Sequence, residues 1–242
     1  RAMSKSAGNG IAPDEIIKQF GADVLRLWVT TQDYTEDMRL GKNLLNQTAD
    51  AYRKIRNTLR FLLGNLVGFK EEDSLSYDEL NPMDKWALSR LKKLIVGIKN
   101  DYQAYNFNGV FKKIYSFTNL ELSAFYLDVL KDLLYTYPKN GKDRKSSLTV
   151  INQILSALTR LMAPILSFTA EDVWQFYKPQ SLSVHLELFP NENDYPDFDE
   201  VEKDFEALLK VREEVLKAIE EARTAKIIKG PLEVSLQLDI KN

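Results

Sequence analysis

Apolar residues recur at spacings of three and four over residues 42–69, and this pattern constrains the fold more than any other feature. The residues are Tyr52, Ile55, Leu59, Leu62 and Leu66. Because an α-helix completes a turn about every 3.6 residues, the five side chains lie on one face of a helix. Such a helix is stable in water only when its apolar face packs against other elements. The pattern therefore predicts a long helix within a larger helical assembly.

Further helices are predicted along most of the chain, with short turns between them. They start at Pro13 and at Ala22 and span roughly 82–105, 110–137, 146–166, 169–176 and 197–225. Long helices joined by short turns form antiparallel bundles. Residues 183–187 and 236–240 instead alternate between apolar and polar side chains, which predicts short strands. We therefore expect a mainly α protein, an antiparallel helix bundle with minor β elements near its C-terminus.

Composition excludes several classes of protein. The chain has 242 residues, 44% hydrophobic and 28% charged, an ordinary balance for a globular protein with a sizeable core. Its apolar runs are far shorter than the roughly 20 residues of a membrane-spanning helix. There is no cysteine and only one histidine, His185, which excludes disulfides, thiolate metal sites and multi-histidine sites. We therefore expect no metal site, no membrane partner and a cytoplasmic location.

Charge is distributed unevenly along the chain, although the formal net charge is only -2. Residues 39–69 carry six basic residues and one acidic residue, whereas residues 187–206 carry nine acidic residues and one basic residue. A polyanion is attracted to the first segment and repelled by the second.

Three arginines in the basic segment share one helical face. Arg53, Arg56 and Arg60, here called the basic stripe, follow the apolar residues one position later, and Asn57 lies between them. Helical arginines at this spacing can follow a phosphate backbone, and Asn57 can reach a base edge or a ribose. The alternative is a solvated helix face. The near absence of acidic residues among the arginines favours binding.

Small and basic residues at the start of the chain suit a phosphate group. In the run Met3-Ser4-Lys5-Ser6-Ala7-Gly8-Asn9, small residues let backbone N–H groups approach an anion, and Lys5 adds a compact positive charge. Such a loop can stabilise charge that develops on a pyrophosphate leaving group. On composition alone, an unstructured chain end is the more common source of such a run.

Aromatic residues cluster between positions 102 and 137. They are Tyr102, Tyr105, Phe107, Phe111, Tyr115, Phe117, Phe125, Tyr126, Tyr135 and Tyr137. Exposed rings can stack on unpaired RNA bases, whereas rings at helical spacing usually pack in a core. We expect core packing for most of them and for Trp28, Trp86 and Trp174.

Five runs together resemble the isoleucyl type of class I aminoacyl-tRNA synthetase. They are residues 3–6, 21–28, 52–66, 122–132 and 163–174. The first resembles the second class I signature loop, usually written KMSKS, with Ala2 in place of its first lysine. The second resembles the run that follows that loop, and the other three resemble helices of the anticodon-binding bundle. The runs at 52–66 and 122–132 favour the isoleucyl family over its valyl and leucyl relatives.

The resemblance implies catalytic chemistry at the loop. Lys5 matches the lysine that binds ATP and stabilises the activation transition state, and Ser4 and Ser6 match the loop serines. A parent enzyme of this family ligates isoleucine to its tRNA using ATP, with Mg²⁺ expected.

The resemblance also implies that the bundle contacts the anticodon stem-loop of isoleucine tRNA. Within the bundle, Arg53, Arg56, Asn57 and Arg60 are the predicted tRNA contacts. A monomer is expected.

Three regions follow from this resemblance. Residues 1–40 are expected to be the tail of the catalytic domain, 41–190 the anticodon-binding bundle, and 191–242 a helical and strand-containing junction. Both ends of the chain look cut, and the other class I signature needs two histidines whereas the chain has one. We therefore expect a piece of a longer protein that is catalytically inactive alone.

Two main alternatives stay open. One is the equivalent region of a valyl or leucyl enzyme, and the other is a helical protein-interaction module with no RNA role. A free-standing phosphotransfer enzyme built on the N-terminal loop is less favoured, because no second catalytic constellation accompanies the loop.

Overall fold

The computed structural model describes residues 12–34, 36, 41–230, 233–235 and 237–238. Within these residues the protein is mainly helical and contains no strand. The α-helices are α1 (Pro13–Phe20), α2 (Ala22–Thr31), α3 (Lys42–Asn65), α4 (Pro82–Gln103), α5 (Phe107–Ser116), α6 (Leu127–Thr136), α7 (Lys142–Met162), α8 (Ser167–Tyr177) and α9 (Asp199–Thr224). The chain divides into two compact units, Arg1–Asp197 and Phe198–Asn242.

The first two helices begin where the sequence predicts. Pro13 occupies the first position of α1, where its missing N–H costs nothing, and Asp14 and Glu15 lie at the positive end of the helix dipole. Gly21 separates α1 from α2 with a φ of 89°, a conformation that side-chain-bearing residues rarely adopt. The turn between the helices therefore depends on this glycine.

Helix α3 is the long amphipathic helix predicted from the apolar spacing. Ile55, Leu59 and Leu62 have no exposed surface, which confirms the predicted buried face. The helix ends at Asn65, four residues before the predicted end at 69. Gly68 has a φ of 82°, which is incompatible with continued α-helix.

The helix predicted over 110–137 contains a stretch that is not α-helical. Between α5 and α6, residues Phe117–Tyr126 form a π-helix, here called the π segment. Its hydrogen bonds join residues five positions apart rather than four. The buried Thr118 hydroxyl donates to the carbonyl of Ile114 at 2.8 Å, a side-chain bond that competes with the backbone ladder at the start of the segment.

A buried carboxylate joins α4, the π segment and α7. Asp84 is 1% exposed and accepts hydrogen bonds from the hydroxyls of Tyr126 at 2.5 Å, Ser146 at 2.6 Å and Ser147 at 3.1 Å. Burial raises the pKa of the Asp84 carboxyl, because the charged form is disfavoured away from water. The same burial, together with the nearby Asp84 charge, raises the pKa of Tyr126.

The predicted strand at residues 183–187 is wrong. Val184–Leu186 forms a single turn of 3₁₀-helix instead. The Glu171 carboxylate of α8 accepts from the Ser183 hydroxyl at 2.8 Å and from the Val184 N–H at 3.0 Å, which holds the segment as a turn. His185 is exposed there. Of the strand predicted at 236–240, residues 236, 239 and 240 lie outside the described residues, and 237–238 form no strand.

The tryptophans occupy the core, as predicted. Trp28 is 7%, Trp86 3% and Trp174 2% exposed. Most of the ten clustered aromatic residues were also expected to pack in the core, but only three of them are buried. Phe117, Phe125 and Tyr126 are buried, Tyr105, Tyr135 and Tyr137 are exposed, and Tyr102, Phe107, Phe111 and Tyr115 are half-buried.

Within the described residues, the helix of the second unit is α9. Asp199, Glu200 and Glu202 lie in the first turn of α9, where acidic side chains interact favourably with the helix dipole. Across the described parts of both units, no helix has the length and hydropathy needed to cross a membrane.

A pH-dependent stability effect follows from the burial of Asp84. Its folded-state pKa lies above the ordinary value of 3.8, so its stabilising contribution is fully present below the unfolded-state pKa and is lost as pH rises through the raised pKa. As pH rises above about 4, we expect the free energy of unfolding of the wild type to fall relative to that of Asp84→Asn. Urea unfolding at several pH values measures this difference.

Asp73 provides a control of opposite sign. A hydrogen bond from Lys145 lowers the pKa of Asp73, so its contribution is lost as pH falls rather than as it rises. The wild type should therefore lose stability relative to Asp73→Asn towards acid pH. Parallel curves for the wild type and Asp84→Asn contradict the raised pKa.

Candidate nucleic-acid interface

Helix α3 presents the basic stripe to solvent. Arg53, Arg56 and Arg60 are all exposed, and Asn57 is exposed beside them. The apolar side chains of α3 point away from this face and into the core of the first unit. The packing of α3 therefore holds the four predicted contact residues together on one accessible surface.

Two of the three arginines are not engaged by the protein itself. Arg53 forms an ion pair with Asp50, one turn earlier on α3, and both side chains are more than half exposed. Such exposed pairs contribute little to stability. Arg56 and Arg60 have no hydrogen-bond or ion-pair partner among the described residues. Their guanidinium groups are free to bind an anion.

Beyond Arg60, the next residue on the exposed face of α3 is a glycine. Gly64 lies one turn further along, and a Cβ atom added there would meet no atom within 4 Å. Packing therefore does not require glycine at this position, although glycine in a helix costs about 1 kcal/mol relative to alanine. Arg60 and Gly64 line a groove of 570 Å³ whose other side includes Asn152 and Tyr177.

A second groove runs along the other side of the stripe, between α3 and the π segment. This side groove has a volume of 290 Å³. Asn57 and Phe61 of α3 line one wall, and Asn119 and Ser123 of the π segment line the other. Asn57 therefore belongs both to the exposed face and to the side groove.

Lysines lie at the two ends of the side groove. The Lys54 ammonium donates to the Tyr115 hydroxyl at 3.1 Å and lies 5.6 Å from the centroid of that ring. Lys131 pairs with Asp128 at 2.8 Å, and this hydrogen bond raises the pKa of Lys131. The contact with Tyr115 therefore leaves the Lys54 charge unneutralised, whereas the charge of Lys131 is paired with a carboxylate.

The floor of the side groove is tied across by Thr58. This residue is 4% exposed, and its hydroxyl is hydrogen-bonded to the Ser123 hydroxyl at 2.8 Å. The single proton of this hydroxyl has two further acceptors, the carbonyl oxygens of Lys54 at 3.1 Å and Thr118 at 3.4 Å. Because the contacts with Ser123 and Thr118 join α3 to the π segment, the two walls are held at a fixed separation.

Two residues of α2, Asp23 and Arg26, here called the α2 clamp, bind the corner between α7 and α8. The Asp23 carboxylate accepts from the Thr169 N–H at 2.7 Å and from its hydroxyl at 2.6 Å, which caps the start of α8. Arg26, one turn later, donates to the carbonyls of Ile165 at 2.8 Å and Pro164 at 2.6 Å. The pair satisfies backbone groups on both sides of the corner.

The same clamp reaches the basic helix. The Thr169 hydroxyl oxygen lies 3.0 Å from that of Tyr52 on α3, the residue directly before Arg53. A continuous chain of hydrogen bonds therefore connects α2, α8 and the helix that carries the basic stripe.

Comparison with known protein families identifies the family to which this helical chain belongs. Residues 84–238 match the family described as "Anticodon-binding domain of tRNA ligase". The chain belongs to this family. Residues 1–41 match a second family, "tRNA synthetases class I (I, L, M and V)". The basic stripe lies between the two matched ranges and belongs to neither.

Curated relatives of the domain are isoleucine–tRNA ligases. That of Persephonella marina is 48% identical over 98% of this chain, and that of Aquifex aeolicus is 47% identical over 98%. The chain spans 26% of the length of each. Among solved structures, the LeuRS of Agrobacterium radiobacter in a ternary complex with tRNA and LeuAMS matches with a TM-score of 0.63 and 24% identity. That match covers 80% of this chain and 22% of the other, and it supports the helical fold.

The predicted site residues fall into two groups. The basic stripe and Asn57 share one exposed face of α3, and their role as tRNA contacts stays a prediction. Ser4, Lys5 and Ser6 lie outside the described residues.

Sequence reasoning missed the far wall of the side groove. Asn119, Ser123 and Lys131 lie more than fifty positions after Asn57 along the chain, and nothing in their local pattern marks them. The one available signal was the run at 122–132, which resembles the synthetase family but does not show which side chains are accessible.

The structure predicts that the free arginines contribute little to folding. Arg56→Ala and Arg60→Ala should each change the free energy of unfolding by less than about 0.5 kcal/mol, because exposed side chains without partners rarely stabilise a fold. Thr58→Val should cost about 1 kcal/mol, because it removes a buried hydrogen bond between α3 and the π segment. Urea unfolding of the three variants tests this contrast. An arginine variant as unstable as Thr58→Val contradicts the assignment of a free anion-binding surface.

Proposed function

We propose that this chain is the tRNA-anticodon-binding part of an isoleucine–tRNA ligase and that α3 binds the anticodon stem-loop of isoleucine tRNA. The observation that carries the proposal is the pair of exposed, unpaired arginines, Arg56 and Arg60, on α3 of a chain whose residues 84–238 match an anticodon-binding family. Arg53 and Asn57 extend the same surface.

The geometry of the stripe suits a phosphate backbone. Arg56 and Arg60 are four residues apart, which separates their positions by about 6 Å along the helix axis. Guanidinium groups form bidentate hydrogen bonds with phosphate oxygens, and such contacts position a protein on its RNA without reading sequence. Because the deep groove of paired RNA excludes side chains, contacts to a stem fall mainly on its backbone.

Isoleucine tRNA is proposed as the partner because of the relatives. Two of them, at 47% and 48% identity over nearly the whole chain, are isoleucine–tRNA ligases. The equivalent region of a valyl or leucyl enzyme predicts preference for another tRNA. A helical protein-interaction module predicts binding that is insensitive to salt and to arginine loss.

The proposal extends to a parent enzyme that ligates isoleucine to its tRNA using ATP. The match of residues 1–41 to class I synthetases supports a loop in which Lys5, with Ser4 and Ser6, contacts the ATP phosphates. Mg²⁺ is the expected counterion of that ATP, supplied with the nucleotide. The parent is proposed to act as a cytoplasmic monomer.

The proposed organisation has three parts. Residues 1–40 are the tail of the catalytic domain, 41–190 are the anticodon-binding bundle, and 191–242 are a junction region. We propose that tRNA contacts concentrate in residues 41–190, the second of these parts. The basic stripe and both grooves lie there, within the compact unit Arg1–Asp197.

The first test is the affinity of the 242-residue chain for isoleucine tRNA and for valine tRNA at several salt concentrations. Isoleucine tRNA should bind more tightly, and Arg56→Ala with Arg60→Ala should weaken binding and make its salt dependence shallower. Each phosphate contact on paired nucleic acid contributes a slope of about -0.9 in log affinity against log salt, so losing two contacts should flatten the slope by nearly two.

The matched control removes the same charge elsewhere. Lys210 and Lys217 are exposed residues of α9. Lys210→Ala with Lys217→Ala should leave affinity and salt slope close to those of the wild type. An equal loss in both double variants shows that general positive charge, rather than the stripe, attracts the RNA.

A substitution at Gly64 tests folding and tRNA binding separately. Gly64→Ala should stabilise the chain by about 0.5–1 kcal/mol, because alanine is the better helix former and the added methyl group meets no protein atom. The same methyl group should weaken tRNA binding if the phosphate backbone lies against this turn. Asn100→Ala, on an exposed position of α4, is the control that raises helix propensity without touching the stripe. A Gly64→Ala variant that is more stable and binds tRNA normally limits the interface to the turns before Gly64.

A further inference from the structure

The side groove has the properties of a pocket for a single nucleotide base. It lies directly beside the basic stripe, and Asn57 lines both surfaces. Its two walls come from α3 and the π segment, so it admits something flat between two helices rather than a whole duplex. Its volume is 290 Å³, close to the lower end of the range for small-ligand pockets, about 300–1,000 Å³.

Unused hydrogen-bonding groups face each other across the groove. The side-chain amides of Asn57 and Asn119 have no hydrogen-bond partner within the described parts of the chain. Each amide offers one carbonyl acceptor and two N–H donors in a plane. This adjacent donor and acceptor pair matches the edges of nucleobases, which asparagine reads in nucleic acids.

The groove also offers a ring for stacking. Phe61 lies one turn after Asn57 on α3, is half-buried, and lines the same wall. Unpaired bases gain affinity by stacking on aromatic side chains, and this contribution tolerates any base. A base held between the two asparagine amides can lie against this ring.

Charge around the groove indicates where the phosphate of that nucleotide lies. The Lys54 ammonium is bound to the neutral Tyr115 hydroxyl, so its positive charge is not neutralised by that contact. At the other end, Asp128 neutralises Lys131. A phosphate is therefore favoured at the Lys54 end, next to Arg53 at the edge of the stripe.

The wall formed by the π segment is held rigidly from three directions. Thr58 binds Ser123 from α3, Arg90 of α4 forms a bidentate ion pair with Glu121 at 2.6 and 3.1 Å, and Asp84 accepts from Tyr126. A preformed wall lowers the ordering cost of binding.

From these observations we infer that the side groove binds one unpaired nucleotide of the tRNA, its base between Asn57 and Asn119 and its phosphate at Lys54. The inference rests on the proposed function, because the basic stripe must first bring the RNA to this face. A base in a duplex cannot enter, since its hydrogen-bonding edge is already paired. The groove therefore distinguishes a loop from a stem, which the stripe alone cannot do.

The test compares two RNAs of equal length and charge with the 242-residue chain. One is a stem-loop with the anticodon loop of isoleucine tRNA, and the other is a continuous duplex without unpaired nucleotides. Asn57→Ala with Asn119→Ala should weaken stem-loop binding about tenfold, the order expected for losing a base contact, and should leave duplex binding and the salt slope unchanged. Thermal melting confirms that the variant is folded.

Two controls separate this inference from the proposed function. Asn46→Ala alters an exposed asparagine on α3 outside the groove and should change neither affinity. Arg56→Ala with Arg60→Ala should weaken the binding of both RNAs. The inference about the groove is overturned, and the proposed function stays intact, if the wild type binds both RNAs equally. The same holds if the asparagine variant has an equal loss of affinity for both RNAs. A wild type that binds neither RNA overturns both.

Discussion

The burial of one face of α3 determines most of what this domain presents to its surroundings. Ile55, Leu59 and Leu62 are completely enclosed, so the helix cannot rotate about its axis without exposing them. Burying a single leucine or isoleucine side chain contributes roughly 1.5–3 kcal/mol, which makes such a rotation costly. The orientation of the basic stripe is therefore a consequence of core packing, even though no arginine of the stripe takes part in that packing.

The α2 clamp shows how the two ends of the first unit are joined by polar contacts. Asp23 and Arg26 satisfy backbone groups around the α7–α8 corner that would otherwise lack partners, which is costly in a buried setting. Through Thr169 the clamp also reaches Tyr52, beside the stripe. Residues that match the class I synthetase family and residues of the anticodon-binding bundle thus share one hydrogen-bond network.

Local patterns in the sequence were sufficient for the helices and for the exposed arginines, because both depend on spacing within one segment. The helix start at Pro13, the buried face of α3 and the buried tryptophans were all predicted correctly. The strand at 183–187 was not, because Glu171 of another helix holds that segment as a turn. The π segment, the Asp84 network and the far wall of the side groove depend on contacts between distant residues, which spacing does not reveal.

The π segment also determines which residues can share a surface. Asn119 and Lys131 are twelve positions apart, and in an uninterrupted α-helix such residues face directions about 120° apart. Both nevertheless line the side groove, because the extra residue in each π-helical turn changes the angular register before α6 begins. An alignment that treats residues 110–137 as one regular helix therefore assigns these two side chains to different faces. Relatives that lack the additional residue would have no equivalent groove, even where their amino acids at these positions were identical.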